Sequence, residues 1–108
     1  MNEKDHKIIE KPWDYNISSF LYNCSSENLL EHYIELVLTK DDISRKLRFI
    51  APKQLKIEEG FPSPTHGMEI LDIRERGMED VNVYVGDFEA SHGAITFYAK
   101  EVIEIYEL

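Results

Sequence analysis

The residue type with the sharpest chemical implication lies in the last apolar run, Ala94 to Tyr106. One parity of that run reads Ile95, Phe97, Ala99, Glu101, Ile103, Ile105, apolar at every position except the glutamate. A carboxylate in the middle of an inward strand face is costly unless it is paired, hydrogen-bonded or neutralised. One consequence would be an acid of raised pKa inside a pocket, the chemistry of a proton donor or of a ligand-orienting group. His32, on the apolar parity Leu30, His32, Ile34, Leu36, Leu38, is the most attractive buried partner for it. The competing explanation is a bulge or kink near Lys100-Glu101, or a strand that leaves the core there.

Other reactive side chains carry no comparable pattern. Cys24 sits between Asn23 and Ser25 with no adjacent cation to lower its thiol pKa, and reads as structural. It is also the sole cysteine, so no internal disulfide forms. Ser91-His92 falls at an expected hairpin tip, where polar residues belong in any case. The four histidines, His6, His32, His66 and His92, lack the paired spacing that fixes two metal ligands on one face. A site such as His66 with Asp72 would need distant segments. There is no glycine-rich turn between a strand and a helix to cradle phosphate. The expectation is therefore a protein with no catalytic residue, no metal and no cofactor.

Charge is more informative. Between His66 and Leu108 ten carboxylates face three cations, Arg74, Arg76 and Lys100, which places −7 of the total −9 in that segment. From Asp41 to Thr65 the balance is slightly basic, five cations against four carboxylates. A field of this sign repels nucleic acid and anionic membrane and attracts basic surfaces. The cations Arg45, Lys46, Arg48, Lys53 and Lys56 lie near Phe49, but Lys46 and Arg48 are also the ordinary solvated face of a strand. Tyr84 and Tyr98 fall on the less apolar parities of two strands expected to be neighbours, close to acidic side chains. Aromatic residues beside carboxylates suit an interaction surface for a basic protein; exposed tyrosine pairs also stabilise sheets unaided. The set assigned to partner binding is Glu69, Asp72, Tyr84, Asp87, Glu89 and Tyr98, with Glu101 and His32 as the pocket alternative.

These residues must be positioned by extended chain. A length of 108 residues is one domain, and 43% hydrophobic with 31% charged residues is a globular rather than a disordered composition. Residues 1–12 are polar, with Ile8-Ile9 the main apolar pair, and read as a flexible lead or short edge strand; residues 13–108 form the domain. Leu30 to Thr39 alternates as a half-buried strand, although a helix capped by Ser26 fits its first half. Asp41-Asp42-Ile-Ser is turn chemistry, and Arg45 to Ala51 resumes alternation, so the two runs read as a hairpin. Pro52 ends that strand. Lys53 to Glu59, Met68 to Arg74, Val81 to Phe88 and Ala94 to Tyr106 follow, with a breaker-rich loop from Gly60 to Gly67. Ile17 to Cys24 adds a first strand on a weaker pattern. The fold class is all-β, a mainly antiparallel sandwich or small barrel of six to seven strands. Its core draws on Leu36, Leu38, Leu47, Phe49, Ile70, Val83, Val85, Ile95, Phe97 and Ile103.

The opening residues have no apolar core of signal-peptide length, and no apolar run approaches membrane-spanning length, so a cytoplasmic location is expected. The function expected is that of a small, non-enzymatic, protein-binding module docking on a basic partner. Immunity proteins that cover the nucleic-acid cleft of a toxin work this way; the comparison is one of charge and size only. The alternatives are a small-ligand binder or enzyme with Glu101 in an internal pocket, and a structural subunit of a homo-oligomer. No nucleic acid or membrane partner is expected.

Overall fold

The computed structural model describes residues 4–62, 67–89 and 92–106. Among them nine strands build two antiparallel sheets packed face to face, an all-β sandwich that does not close into a barrel. The strands are β1 (Lys4–Asp5), β2 (Asn16–Asn23), β3 (Tyr33–Lys40), β4 (Ile43–Ile50), β5 (Lys53–Ile57), β6 (Met68–Asp72), β7 (Val83–Asp87), β8 (Ile95–Ala99) and β9 (Glu101–Ile105). One sheet has the order β1-β6-β7-β8-β5 and the other β2-β3-β4-β9. We call them sheet A and sheet B. The count exceeds seven for two reasons: β1 is a two-residue edge strand, and the last apolar run divides into β8 and β9.

The expected hairpin is β3 and β4. Ile34, Leu36 and Leu38 are fully buried beside Phe49, Leu47 and Arg45 respectively, and the turn places Asp41 at φ 53°, a conformation that Asp and Asn tolerate better than most residues. The run starts later than its alternation suggests. Asn28 accepts a hydrogen bond from the Leu30 amide and initiates a short 3-10 turn, Leu29–Glu31. Leu30 is consequently exposed, and His32 precedes the strand rather than lying on its inward face.

Two places where the chain changes sheets organise the rest. β4 runs in sheet B, and after Ala51 (φ 54°) and Pro52 the chain continues as β5 in sheet A. Beside it β8 of sheet A becomes β9 of sheet B at Lys100, whose amide donates to the Ile50 carbonyl at 2.8 Å. β5 pairs with β8 and β4 with β9, so a single bent ribbon forms a corner of the sandwich. The extra residue at the bend shifts the alternation by one. Ile95, Phe97 and Ala99 point inward before it; Val102 and Glu104 do so after it. Ile103 therefore lies outward, 43% exposed, which corrects its expected place in the core. The other nine expected core residues are buried. The core joins the sheets through Phe49 and Phe97, one from each, whose rings meet edge to face at 5.0 Å and 88°.

Polar groups close the sandwich mouth. Arg45 and Glu104 share the inward side of the β4–β9 pair, where Arg45 Nε and Nη2 donate to the two Glu104 carboxylate oxygens at 2.6 and 2.7 Å. Nη2 also donates to the Ile8 carbonyl at 3.0 Å, tying the N-terminal segment down next to buried Ile9. No helix of the described residues is long and apolar enough to cross a membrane.

Candidate docking surface

The outer face of sheet A collects the expected tyrosines. Tyr84 of β7 and Tyr98 of β8 are direct cross-strand partners, and Leu71 of β6 and Lys53 of β5 continue the same row on either side. The two rings lie 4.8 Å apart, tilted by 39°. Both are half-buried, so each leaves part of its ring at the surface.

A local feature of the sequence fixes this geometry. The Tyr84 ring lies across Gly86, two residues along the same strand face: a Cβ at that position would meet ring carbons Cε2 and Cζ at 2.5 and 2.8 Å and the hydroxyl at 2.9 Å. Glycine is therefore required for a close approach and not for a turn. Gly86→Ala is expected to lift the ring off the sheet. The tyrosine near-ultraviolet circular dichroism should change while the far-ultraviolet strand spectrum stays, and an unaltered near-ultraviolet spectrum would contradict the packing.

Electrostatics divide the platform. Burial, then neighbouring Tyr98, then the Glu69 carboxylate push the Tyr84 hydroxyl above its usual range, with Arg76 acting weakly the other way. The hydroxyl thus stays protonated through physiological pH and remains a hydrogen-bond donor. On the Tyr98 side a shallow hollow of about 150 Å³ is lined by Lys53, Gln54, Arg76, Met78, Val81 and Tyr98. Glu69 thus flanks one end of the tyrosine row and two cations the other.

The rest of the expected partner-binding set is dispersed. Asp72 ends β6, where its carboxylate accepts from the Arg74 amide at 3.1 Å. Asp87 stands opposite Met68 at the other end of β6, and its carboxylate accepts from the Glu89 amide at 2.9 Å. Glu69, Tyr84 and Tyr98 share one face; Asp72 and the Asp87–Glu89 turn flank it from opposite ends.

Glu101 and His32 do not form a pocket. Glu101 is on the outward parity after the bend, and Arg74 Nη2 donates to it at 2.8 Å with its side chain 42% exposed. His32 Nε2 donates to the Ser26 carbonyl at 2.6 Å and packs edge-on against Tyr22. The inward carboxylate is Glu104, which parity counting from Ile95 had placed outward. Its signal was available in the sequence: a bend at Lys100-Glu101 puts Glu104, not Glu101, in line with the core.

Among the described residues no buried side chain is polar or charged, and no group of three His, Cys, Asp or Glu could hold a metal ion. Cys24 is exposed. His66 and Ser91, which entered the metal and nucleophile readings, lie outside the described residues. Compared with family models, with curated proteins and with solved structures, this chain matches none.

Proposed function

We propose that this protein is a non-enzymatic binding module that docks on a basic protein through the outer face of sheet A, with Tyr84 and Tyr98 at the centre of contact. The observation carrying this reading is the preorganised tyrosine pair held across Gly86 in the middle of a sheet face. Rigid aromatic side chains lose little conformational freedom on binding and dominate interface energetics. The −9 net charge supplies long-range attraction for a basic partner, while Glu69 at one end and Lys53 and Arg76 at the other set the direction of docking. Exposure of Glu101, with its ion pair to Arg74, weighs against the internal-pocket alternative.

The test is affinity capture from cell extract at low and high salt, using the wild type, Tyr84→Ala/Tyr98→Ala and Glu69→Lys. The wild type should retain a protein of high isoelectric point that salt releases. Each tyrosine truncation at a hot spot should weaken retention by about 2 kcal/mol, roughly thirtyfold. Equal retention by the double variant would refute the assignment of this face.

A further inference from the structure

The outer face of sheet B has a different character, and its residues are arranged with an internal symmetry. Three rows cross its four strands in the order β2, β3, β4, β9. The middle row reads Leu21, Glu35, Arg48, Ile103. One flanking row reads Asn23, Tyr33, Ile50, Glu101 and the other Ser19, Val37, Lys46, Ile105. Leu21 and Ile103, at the two ends of the middle row, are 45% and 43% exposed. Between them Arg48 binds Glu35 with Nη2–Oε2 and Nε–Oε2 distances of 2.6 and 2.8 Å, and its guanidinium lies 4.2 Å from the centre of the Tyr33 ring. The centre of this face thus holds an ion pair between two exposed aliphatic residues, and the flanking rows mix apolar side chains (Tyr33, Ile50, Val37, Ile105) with polar ones (Asn23, Glu101, Ser19, Lys46).

We infer that this face is a self-complementary interface, and that a second copy of the chain covers it in a two-fold symmetric dimer. Face-to-face packing of identical surfaces requires a two-fold axis in the interface plane. With that axis parallel to the strands and passing between β3 and β4, each strand meets its mirror position in the order: β2 faces β9 and β3 faces β4. Leu21 of one copy then packs on Ile103 of the other, and Tyr33 on Ile50. Glu35 faces Arg48 twice, closing a ring of four alternating charges. Val37 meets the aliphatic stem of Lys46, and Asn23 meets Glu101. No like charges oppose each other. With the axis across the strands instead, Glu35 would face Glu35 and Arg48 would face Arg48, so the charge pattern selects one of the two arrangements. Strand directions within about 30° of each other, as in aligned sheet packing, satisfy the selected axis.

The footprint is modest. Four strands about 4.8 Å apart and seven residues of about 3.3 Å rise give a face of about 19 by 23 Å, roughly half the 800 Å² that each partner buries in a standard interface. The dimer thus belongs to the small, transient class of associations. Its salt response is distinctive. Two copies each carrying −9 repel at long range, so added salt strengthens the dimer, whereas it weakens docking on a basic partner. The two associations use opposite faces of the sandwich and fail independently.

Sedimentation velocity over a concentration series is the test. The wild type should move from monomer to dimer, more readily at higher salt. Ile103→Lys, at an outward position, should raise the dissociation constant by at least about tenfold while leaving thermal unfolding unchanged. Charge reversals provide the decisive arm. Glu35→Arg alone and Arg48→Glu alone should each be monomeric, because four like charges would meet at the axis; mixed together they should form a heterodimer. A merely structural role for the Glu35–Arg48 pair cannot produce recovery on mixing. A wild type that stays monomeric at every concentration and salt, or a mixture of reversals that stays monomeric, overturns the inference.

Discussion

Phe97→Ala is expected to destabilise the fold by about 3–5 kcal/mol, read as a shift of the urea midpoint at constant slope. Phe97 and Phe49 are fully buried, and their edge-to-face contact is where the two sheets meet. Removing one ring deletes its burial and leaves a cavity that neither sheet can collapse into, because each is held by its own ladder. Against a total stability of about 5–15 kcal/mol for a domain of this kind, the loss is about a fifth or more. The melting temperature should fall by about 15 °C or more. Phe49→Ala should cost a comparable amount. The double variant should cost less than the sum, since the shared contact is counted twice in the singles. Additive losses would mean that the rings do not meet.

Glu104→Ala and Glu101→Ala should differ sharply, and the contrast tests the bend at Lys100. Glu104 is the inward carboxylate, its side chain only 11% exposed, and it receives both donors of Arg45. Truncating it removes the only carboxylate among the guanidinium's described partners and leaves it with the Ile8 carbonyl and Tyr15, at a cost of about 2–4 kcal/mol. Glu101 is an exposed member of a surface pair with Arg74, and its loss should cost about 0.5 kcal/mol or less. Had the alternation run unbroken from Ile95, the ranking would be reversed. Chemical denaturation of the two variants decides between the registers.

The same pair has a pH signature. The Arg45 guanidinium, through its hydrogen bonds and its charge, holds the Glu104 carboxyl below its ordinary value of 4.5, with burial acting in the opposite direction and the Tyr106 hydroxyl adding to the depression. A carboxyl whose folded pKa is depressed gives stability that is complete above the unfolded value and is lost as pH falls through the folded value. Wild-type stability should therefore decline from about pH 4.5 downward, and Glu104→Gln should decline less steeply over that range. Identical acid limbs for the two proteins would place the acid sensitivity elsewhere.

How much of this was legible in the residues depends on whether the information is local. The β3–β4 hairpin was readable because its alternation and its Asp41-Asp42 turn are both short-range features. So was the pairing of Tyr84 with Tyr98, since β7 and β8 are successive strands joined by a short connection. The change of sheet at Lys100 was legible only as one of two explanations for Glu101, because Ala99-Lys-Glu101 contains no glycine or proline and the bend meets the Ala51-Pro52 corner, half the chain away. The misplaced glutamate was its only trace. The dispersal of Asp72, Asp87 and Glu89 was equally hidden. They belong to an acidic segment in sequence, but strand length separates its ends by about 13 Å, four residues at about 3.3 Å each. Net charge along a chain does not report which face of a sandwich displays it.

Photo-crosslinking from single benzoylphenylalanine residues tests the central claim, that the outer face of sheet A is where a partner docks, most directly. Placed at Tyr98, the probe should yield an adduct with a basic protein, diminished by salt and by Gly86→Ala; placed at Ile103, it should yield an adduct of twice the chain mass. Failure of the Tyr98 probe to capture any protein that the Ile103 probe does not also capture would contradict the account.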